Sequence, residues 1–294
     1  MFRGTYTALV TPFRDGEIDL AAFATLIEGQ ISAGITGIVA VGTTGESPTL
    51  SHDEREQVIR LAVEITKGRC QVLAGTGSYS TRDAIAATTA AEKMGVDGAL
   101  IVAPYYNKPS QEGLFRHFQA IARETALPIM LYNIPGRCGI DINAATVERL
   151  AGECGNIVSI KEASGSVERV TDLCGQMPDA FTVLSGDDGL TLPFMAVGAV
   201  GVVSVASNLL PAEVCALVRA FENGDTLSAQ QMQRRLGRVF KDLFIEPNPV
   251  PVKAALAWRG LMSSEVRLPL CEMSPTNEVR LRETLAAFES NVSR

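Results

Sequence analysis

Eight short β-branched runs, each followed by a longer amphipathic stretch, constrain this chain more than any other feature. Strand candidates begin near Thr5, Gly37, Gln71, Gly98, Pro128, Ile157, Thr182 and Gly201. Helix-like segments lie between and after them: Leu20 to Ala33, His52 to Thr66, Thr81 to Met94, Gln111 to Thr125, Ala144 to Gly152, Val167 to Cys174, Gly189 to Val197 and Pro211 to Phe221. Leu26, Ile27, Ile31 and Ala33 show the helical spacing, and Gly34, Gly68, Gly95, Gly155 and Gly224 mark helix ends. Strand–helix units repeating at roughly 30 residues imply parallel β/α architecture. Eight units close a (β/α)8, or TIM, barrel, for which about 250 residues is typical. The open doubly wound sheet is the alternative, but no G-x-G-x-x-G follows a first strand, and Gly75-Thr76-Gly77 runs on into Ser78-Tyr79-Ser80.

The last part of the chain departs from that repeat. Asp225 to Phe244 reads as a helix with an apolar stripe of Leu227, Met232, Leu236, Val239, Phe240 and Leu243, ended by Pro247, Pro249 and Pro251. Val252 to Leu261 and Thr276 to Phe288 read as two more helices. The expected organisation is an α/β protein with a catalytic barrel over residues 1–224 and an appended C-terminal helical subdomain over residues 225–294.

A net charge of −7 offers no basic surface for nucleic acid or an anionic membrane. The longest apolar stretch, around Met195 to Leu210, is interrupted by Gly198, Gly201, Ser204, Ser207 and Asn208, so no membrane span is expected. The opening Met1-Phe2-Arg3-Gly4-Thr5-Tyr6 lacks the basic start and apolar core of a signal peptide, and the expected location is the cytoplasm. The cysteines, Cys70, Cys138, Cys154, Cys174, Cys215 and Cys271, include no C-x-x-C pair and read as free thiols. The two histidines, His52 and His117, are far apart and read as surface or packing residues; a His-rich metal centre is not expected.

Lys161 carries the strongest chemical signal. It closes the apolar run Ile157-Val158-Ser159-Ile160. Burial there disfavours the ammonium form and lowers the amine's pKa, which makes a nucleophile for a carbonyl compound. Lys67 and Lys93 lie at helix ends, Lys108 in a loop, and Lys241 and Lys253 in amphipathic C-terminal stretches. The plainer reading is a strand-end lysine that snorkels to solvent. Polar residues also collect after the other strand candidates, where such barrels place their chemistry: Thr11-Pro12-Phe13, Gly42-Thr43-Thr44-Gly45-Glu46, Pro104-Tyr105-Tyr106-Asn107, Tyr132 to Arg137, and Ser185-Gly186-Asp187-Asp188. Each alone also reads as a turn, a helix cap or rim packing. Together they suit one chemistry. Tyr132 can shuttle protons for a Schiff base on Lys161, with a threonine hydroxyl as relay. Backbone N–H groups of the Gly-Thr-Thr-Gly turn can bind a carboxylate, and Arg137 can clamp a second one. That describes a keto acid with a second acidic substrate, and no metal or organic cofactor.

Gly42-Thr43-Thr44-Gly45-Glu46-Ser47, Tyr132-Asn133-Ile134-Pro135-Gly136-Arg137 and Ile160-Lys161-Glu162-Ala163 closely resemble the dihydrodipicolinate synthase family, within the superfamily of class I pyruvate aldolases. The resemblance covers essentially the whole chain. It implies a barrel that condenses pyruvate with L-aspartate-4-semialdehyde on the diaminopimelate route to lysine. Lys161 would form the pyruvate Schiff base, Tyr132 would be the acid/base and Thr43 its relay. Thr44 would bind the pyruvate carboxylate, and Arg137 the semialdehyde carboxylate. Gly186 and the Val203 carbonyl would line the pocket. Tyr106 would reach into a neighbouring subunit, making a homodimer the minimal active unit and a tetramer of two dimers the common form. Thr43-Thr44 and Arg137 favour this reaction over a sugar-acid lyase, and the intact acid/base set argues against a keto-acid sensor. The family's lysine-inhibition site matches Ser47, His52, Arg55, Tyr79, Asp83 and Tyr105. The inhibited bacterial form has histidine and asparagine where this chain has Arg55 and Tyr79, and Asp83 is shorter than its glutamate, so weak or absent lysine inhibition is expected. Cys138, beside Arg137, reads as a bystander thiol.

Overall fold

In a computed structural model that describes residues 2–290, eight parallel strands close into a barrel. They are β1 Gly4–Ala8, β2 Gly37–Ala40, β3 Gln71–Gly75, β4 Gly98–Val102, β5 Ile129–Asn133, β6 Ile157–Glu162, β7 Thr182–Ser185 and β8 Gly201–Ser204. Each pairs with the next, and β8 returns to β1 with Gly4 opposite Gly201. The helices between them are α1 Leu20–Ser32, α2 His52–Thr66, α3 Thr81–Met94, α4 Gln111–Arg123, α5 Ala144–Glu153, α6 Val167–Gln176, α7 Thr191–Ala196 and α8 Pro211–Glu222. Every strand and helix expected from the pattern is present. A two-stranded ribbon, Phe13–Arg14 with Glu17–Ile18, follows β1.

Side-chain alternation along the strands sorts the apolar residues into two cores. One fills the barrel: Phe2 and Tyr6 near the N-terminal ends of the strands, then Val39, Leu73, Leu100, Met130, Leu184 and Val203. The other, much larger, lies between strands and helices and includes Ile38, Ile101, Leu131, Ile160 and Val202. Several helices open on the side chain that satisfies their first N–H groups. At α2, Ser51 and Glu54 form a reciprocal capping box.

Three further helices follow: α9 Thr226–Asp242, α10 Val250–Trp258 and α11 Pro275–Ser290. Leu236, Val239, Phe240 and Leu243 of the α9 stripe are buried in the outer core, whereas Leu227, at the helix start, is exposed. Asp242 anchors α11 to α9 by accepting from Arg280 Nη2 at 2.6 Å and Thr284 Oγ1 at 2.7 Å. Pro251 does not break the chain; it occupies the first turn of α10, where a missing N–H removes no helical bond. Met1 and residues 291–294 of the C-terminal segment lie outside the described residues.

Lys253 corrects the sequence reading. It sits on α10 with no exposure at all, because the segment from Val250 to Leu256 is buried on every side and offers no polar face. Among the described residues, no helix is long and apolar enough to cross a membrane.

Candidate active site

Lys161 is the fifth residue of the six in β6. Ile160 belongs to the outer core, and Glu162 faces the helices, accepting from Arg169 Nε at 2.8 Å. Alternation therefore turns Lys161 into the barrel, where it is 4% exposed. Its Cα partner across the sheet is Tyr132 on β5, and the Lys161 Nζ lies 4.1 Å from the Tyr132 ring centroid. Gly186, immediately after β7, supplies the space. A Cβ there would meet Lys161 Cε at 3.0 Å and Ala163 Cβ at 2.8 Å. Val203, on β8, is fully buried in the same interior cluster as Tyr132.

Burial lowers the Lys161 amine to about 7; the Asp188 carboxylate opposes that shift and the Arg137 guanidinium adds to it. A strand-end lysine that snorkels is thus not what forms. Burial also raises the Tyr132 phenol, against the pull of Arg137 and a hydrogen bond shared with Thr43. At neutral pH the site therefore pairs an amine that is substantially uncharged with a phenol that keeps its proton. One is ready to attack a carbonyl carbon, and the other can donate to the oxygen that must leave.

The turn after β2 is bent inward by unusual backbone. Val41 has φ +57° and Glu46 φ +54°, a region costly for a β-branched residue. Gly75 on β3 makes room for it: a Cβ there would lie 2.2 Å from the Val41 carbonyl oxygen. The turn uses the N–H groups of Gly45, Glu46 and Ser47 internally. Those of Thr43 and Thr44 have no acceptor among the described residues, leaving two adjacent donors suited to a carboxylate. Arg137 lies on the single helical turn Pro135–Cys138 that follows β5.

Lys253 and Asn248, which hold this arrangement, escaped the sequence reading, whereas Glu46 and Asp188 were read only as members of the polar clusters after β2 and β7. Glu46, 2% exposed, accepts from Lys253 Nζ at 2.6 Å and from the Arg267 N–H at 3.0 Å. Lys253 also donates to the Thr11 carbonyl at 2.9 Å and stands over the Phe13 ring. Thr11 in turn donates to the Gly45 carbonyl at 2.8 Å. Asn248 donates to Thr44 Oγ1 at 3.0 Å. Asp188 is not a simple helix cap, a role that Asp187 fills by accepting from the Gly189 N–H at 2.9 Å. Buried Asp188 instead accepts from the Ser204 hydroxyl and from the N–H groups of Val205 and Ala206, at 3.0 and 2.9 Å, tying the loop after β7 to the end of β8. Membership of those two clusters was the local signal for Glu46 and Asp188; Lys253 and Asn248 carried none.

A cavity of about 520 Å³ opens beside the site. Thr43 and Arg137 line it together with His52, Arg55, Tyr79 and Tyr105. Ser47 and Asp83 complete the set matched to the inhibitor site, so all six of those residues face one space. Tyr79 packs edge-on to Tyr105, with ring centroids 5.3 Å apart, and Arg55 Nη2 donates to the Ser47 carbonyl at 2.7 Å. Tyr106 does not line that cavity; it is 91% exposed at φ +68°. Burial pushes the Cys138 thiol up to about 11, so it is protonated and unreactive at neutral pH. His117 is a packing residue, with its Nδ1 2.9 Å from Thr81 Oγ1. All six cysteines are free.

Fold and site together define a (β/α)8 barrel with a buried lysine of lowered pKa at the C-terminal end of one strand. The model of the Dihydrodipicolinate synthetase family matches residues 1–288, and the chain belongs to that family. It is 49% identical over 288 residues to the 4-hydroxy-tetrahydrodipicolinate synthase of Endomicrobium trichonymphae, covering 98% of this chain and 99% of that one. The structure of the 4-hydroxy-tetrahydrodipicolinate synthase from Methylacidiphilum fumariolicum SolV superposes with a TM-score of 0.99 at 56% identity, covering 100% of this chain and 98% of the other. A Cyanidioschyzon merolae relative crystallised with lysine bound superposes at 0.96 with 42% identity, covering 98% of each chain.

Proposed function

We propose that the chain is a lyase that condenses pyruvate with L-aspartate-4-semialdehyde to give 4-hydroxy-tetrahydrodipicolinate, in diaminopimelate and lysine biosynthesis. The observation that carries this reading is the buried Lys161 amine, lowered to about 7 beside Tyr132. Neutral Lys161 adds to the pyruvate carbonyl, and the carbinolamine loses water to give the Schiff base. Tyr132, coupled to Thr43, supplies and recovers the protons of that step and of enamine formation at the methyl carbon. The enamine carbon forms the new C–C bond to the semialdehyde's aldehyde carbon. The amino group of the same substrate then displaces Lys161 from the imine, closing the ring and freeing the enzyme. Thr44 and its neighbouring N–H groups hold the pyruvate carboxylate, and Arg137 holds the semialdehyde carboxylate. Gly186 and the Val203 carbonyl line the pocket. Residues 1–224 form the catalytic barrel and residues 225–294 the appended subdomain, from which Asn248, Lys253 and Arg267 brace the turn after β2.

Supplying both substrates with excess dihydrodipicolinate reductase and following NADPH consumption tests the reading. Turnover is expected. A folded protein that traps pyruvate on Lys161 yet gives no turnover would mean that the second substrate is wrong.

The exposure of Tyr106 supports a homodimer in which it completes the partner's proton relay, and a tetramer built from two such dimers. Sedimentation reads the assembly directly; a monomer with full activity would contradict it. The cytoplasm is the proposed location. Lysine is a weak effector or none, since Arg55 adds positive charge where the inhibitor's ammonium groups would sit and Tyr79 fills volume; half-maximal inhibition below millimolar lysine would refute this.

A further inference from the structure

Asn248, in the segment between α9 and α10, touches both residues assigned to substrate carboxylates. Its Nδ2 donates to Thr44 Oγ1 at 3.0 Å, and its backbone carbonyl accepts from Arg137 Nη2 at 3.3 Å. The residue is only 6% exposed. Its Oδ1 is buried with no hydrogen-bond partner among the described residues, and an orphaned buried acceptor is destabilising. A leucine of similar volume would avoid that cost. What leucine could not supply is the bond to Thr44.

That bond has a direction with consequences. A threonine hydroxyl carries one proton and two acceptor lone pairs. With Nδ2 occupying a lone pair, the proton is left for another acceptor, and a hydroxyl that is itself accepting donates more strongly. The Thr44 N–H is likewise free. Both donors of Thr44 are then available to one carboxylate. We propose that Asn248 is a positioning residue: it presents the Thr44 hydroxyl as a donor to the pyruvate carboxylate and, through its own carbonyl, sets the Arg137 guanidinium, so that one residue aligns both carboxylate sites. This rests on the roles given above to Thr44 and Arg137.

The test uses the full-length protein with Asn248→Asp, Asn248→Ala and Asn248→Leu. Each is equilibrated with a pyruvate series at pH 8, reduced with borohydride, and scored by mass spectrometry for adduct on the Lys161 peptide. This yields a pyruvate half-saturation that needs no second substrate. The aspartate variant is nearly isosteric, but its ionised side chain only accepts, so it takes up the Thr44 proton and turns the hydroxyl's lone pairs toward the substrate. Its half-saturation should rise more than about tenfold, and that of the alanine variant about three- to tenfold. In the coupled assay the KM for pyruvate should follow the same order, with kcat changing less. Because aspartate also adds charge beside a carboxylate site, the uncharged Asn248→Leu, which keeps the volume, separates the two roles: a merely space-filling amide predicts a half-saturation within twofold of wild type, and loss of the Thr44 bond a rise of about three- to tenfold. An aspartate variant milder than alanine, or an alanine or leucine variant within twofold of wild type, would overturn the proposal. Should one variant fail to fold, the others compared with wild type still decide. If wild type itself forms no adduct, the Schiff-base reading fails, and this proposal fails with it.

Discussion

Lys161→Met separates the lysine's chemical role from its structural cost. The amine falls from its ordinary 10.5 to about 7, chiefly through burial. Between those two values the unfolded chain binds a proton that the folded one does not, so folding stability rises with pH across this window. Each unit of difference is worth about 1.4 kcal/mol. At pH 7, where the folded amine is about half protonated, the lysine costs the fold roughly 4 kcal/mol; near pH 9 the cost shrinks to roughly 2 kcal/mol. Methionine fills similar volume without a titrating group, and forfeits the cation–π contact with Tyr132, worth about 1 kcal/mol while the amine is charged. The variant should be about 3 kcal/mol more stable at pH 7, a rise of about 6 °C in Tm for a chain of this size, with a smaller rise at pH 9. It should form no pyruvate adduct. Thermal melts at the two pH values read the first result, and borohydride trapping the second. A variant no more stable than wild type at pH 7, or a gain independent of pH, would refute burial as the origin of the lowered pKa.

Tyr132→Phe should lower kcat by about a hundred- to ten-thousandfold while adduct still accumulates at equilibrium; near-normal turnover would remove Tyr132 from the proton path. Gly186→Ala places a methyl group 3.0 Å from Lys161 Cε and should slow adduct formation roughly ten- to hundredfold, whereas a rate within twofold of wild type would show that the lysine has room to move. Lys253→Met leaves the Glu46 carboxylate buried without its partner and should cost about 3–5 kcal/mol in denaturant unfolding. Adding Glu46→Leu should recover much of that loss, and a single variant costing under about 1 kcal/mol would contradict the pairing.

The barrel was legible because its signals are local. Strand and helix periods are written within each unit of the repeat, and Lys161 announces itself by ending an apolar run. Tyr132 was readable for the same reason, as the polar end of the adjacent strand. The braces of the site were not. Glu46 and Lys253 are 207 residues apart, and Thr44 and Asn248 are 204 apart, so no window of sequence contains both partners. Lys253 in particular looked amphipathic from its neighbours, and only the packing of α10 against the barrel mouth removes its polar face. Val41 was hidden in another way. A β-branched residue at positive φ runs against its local preference, and the surrounding turn imposes that conformation.

Borohydride reduction of the wild-type protein with pyruvate, followed by peptide mass mapping, tests the central claim most directly. The account predicts a single reduced pyruvate adduct on Lys161, forming faster as pH rises through about 7, where the amine loses its proton. An adduct on another lysine, or no adduct in folded protein, would contradict it.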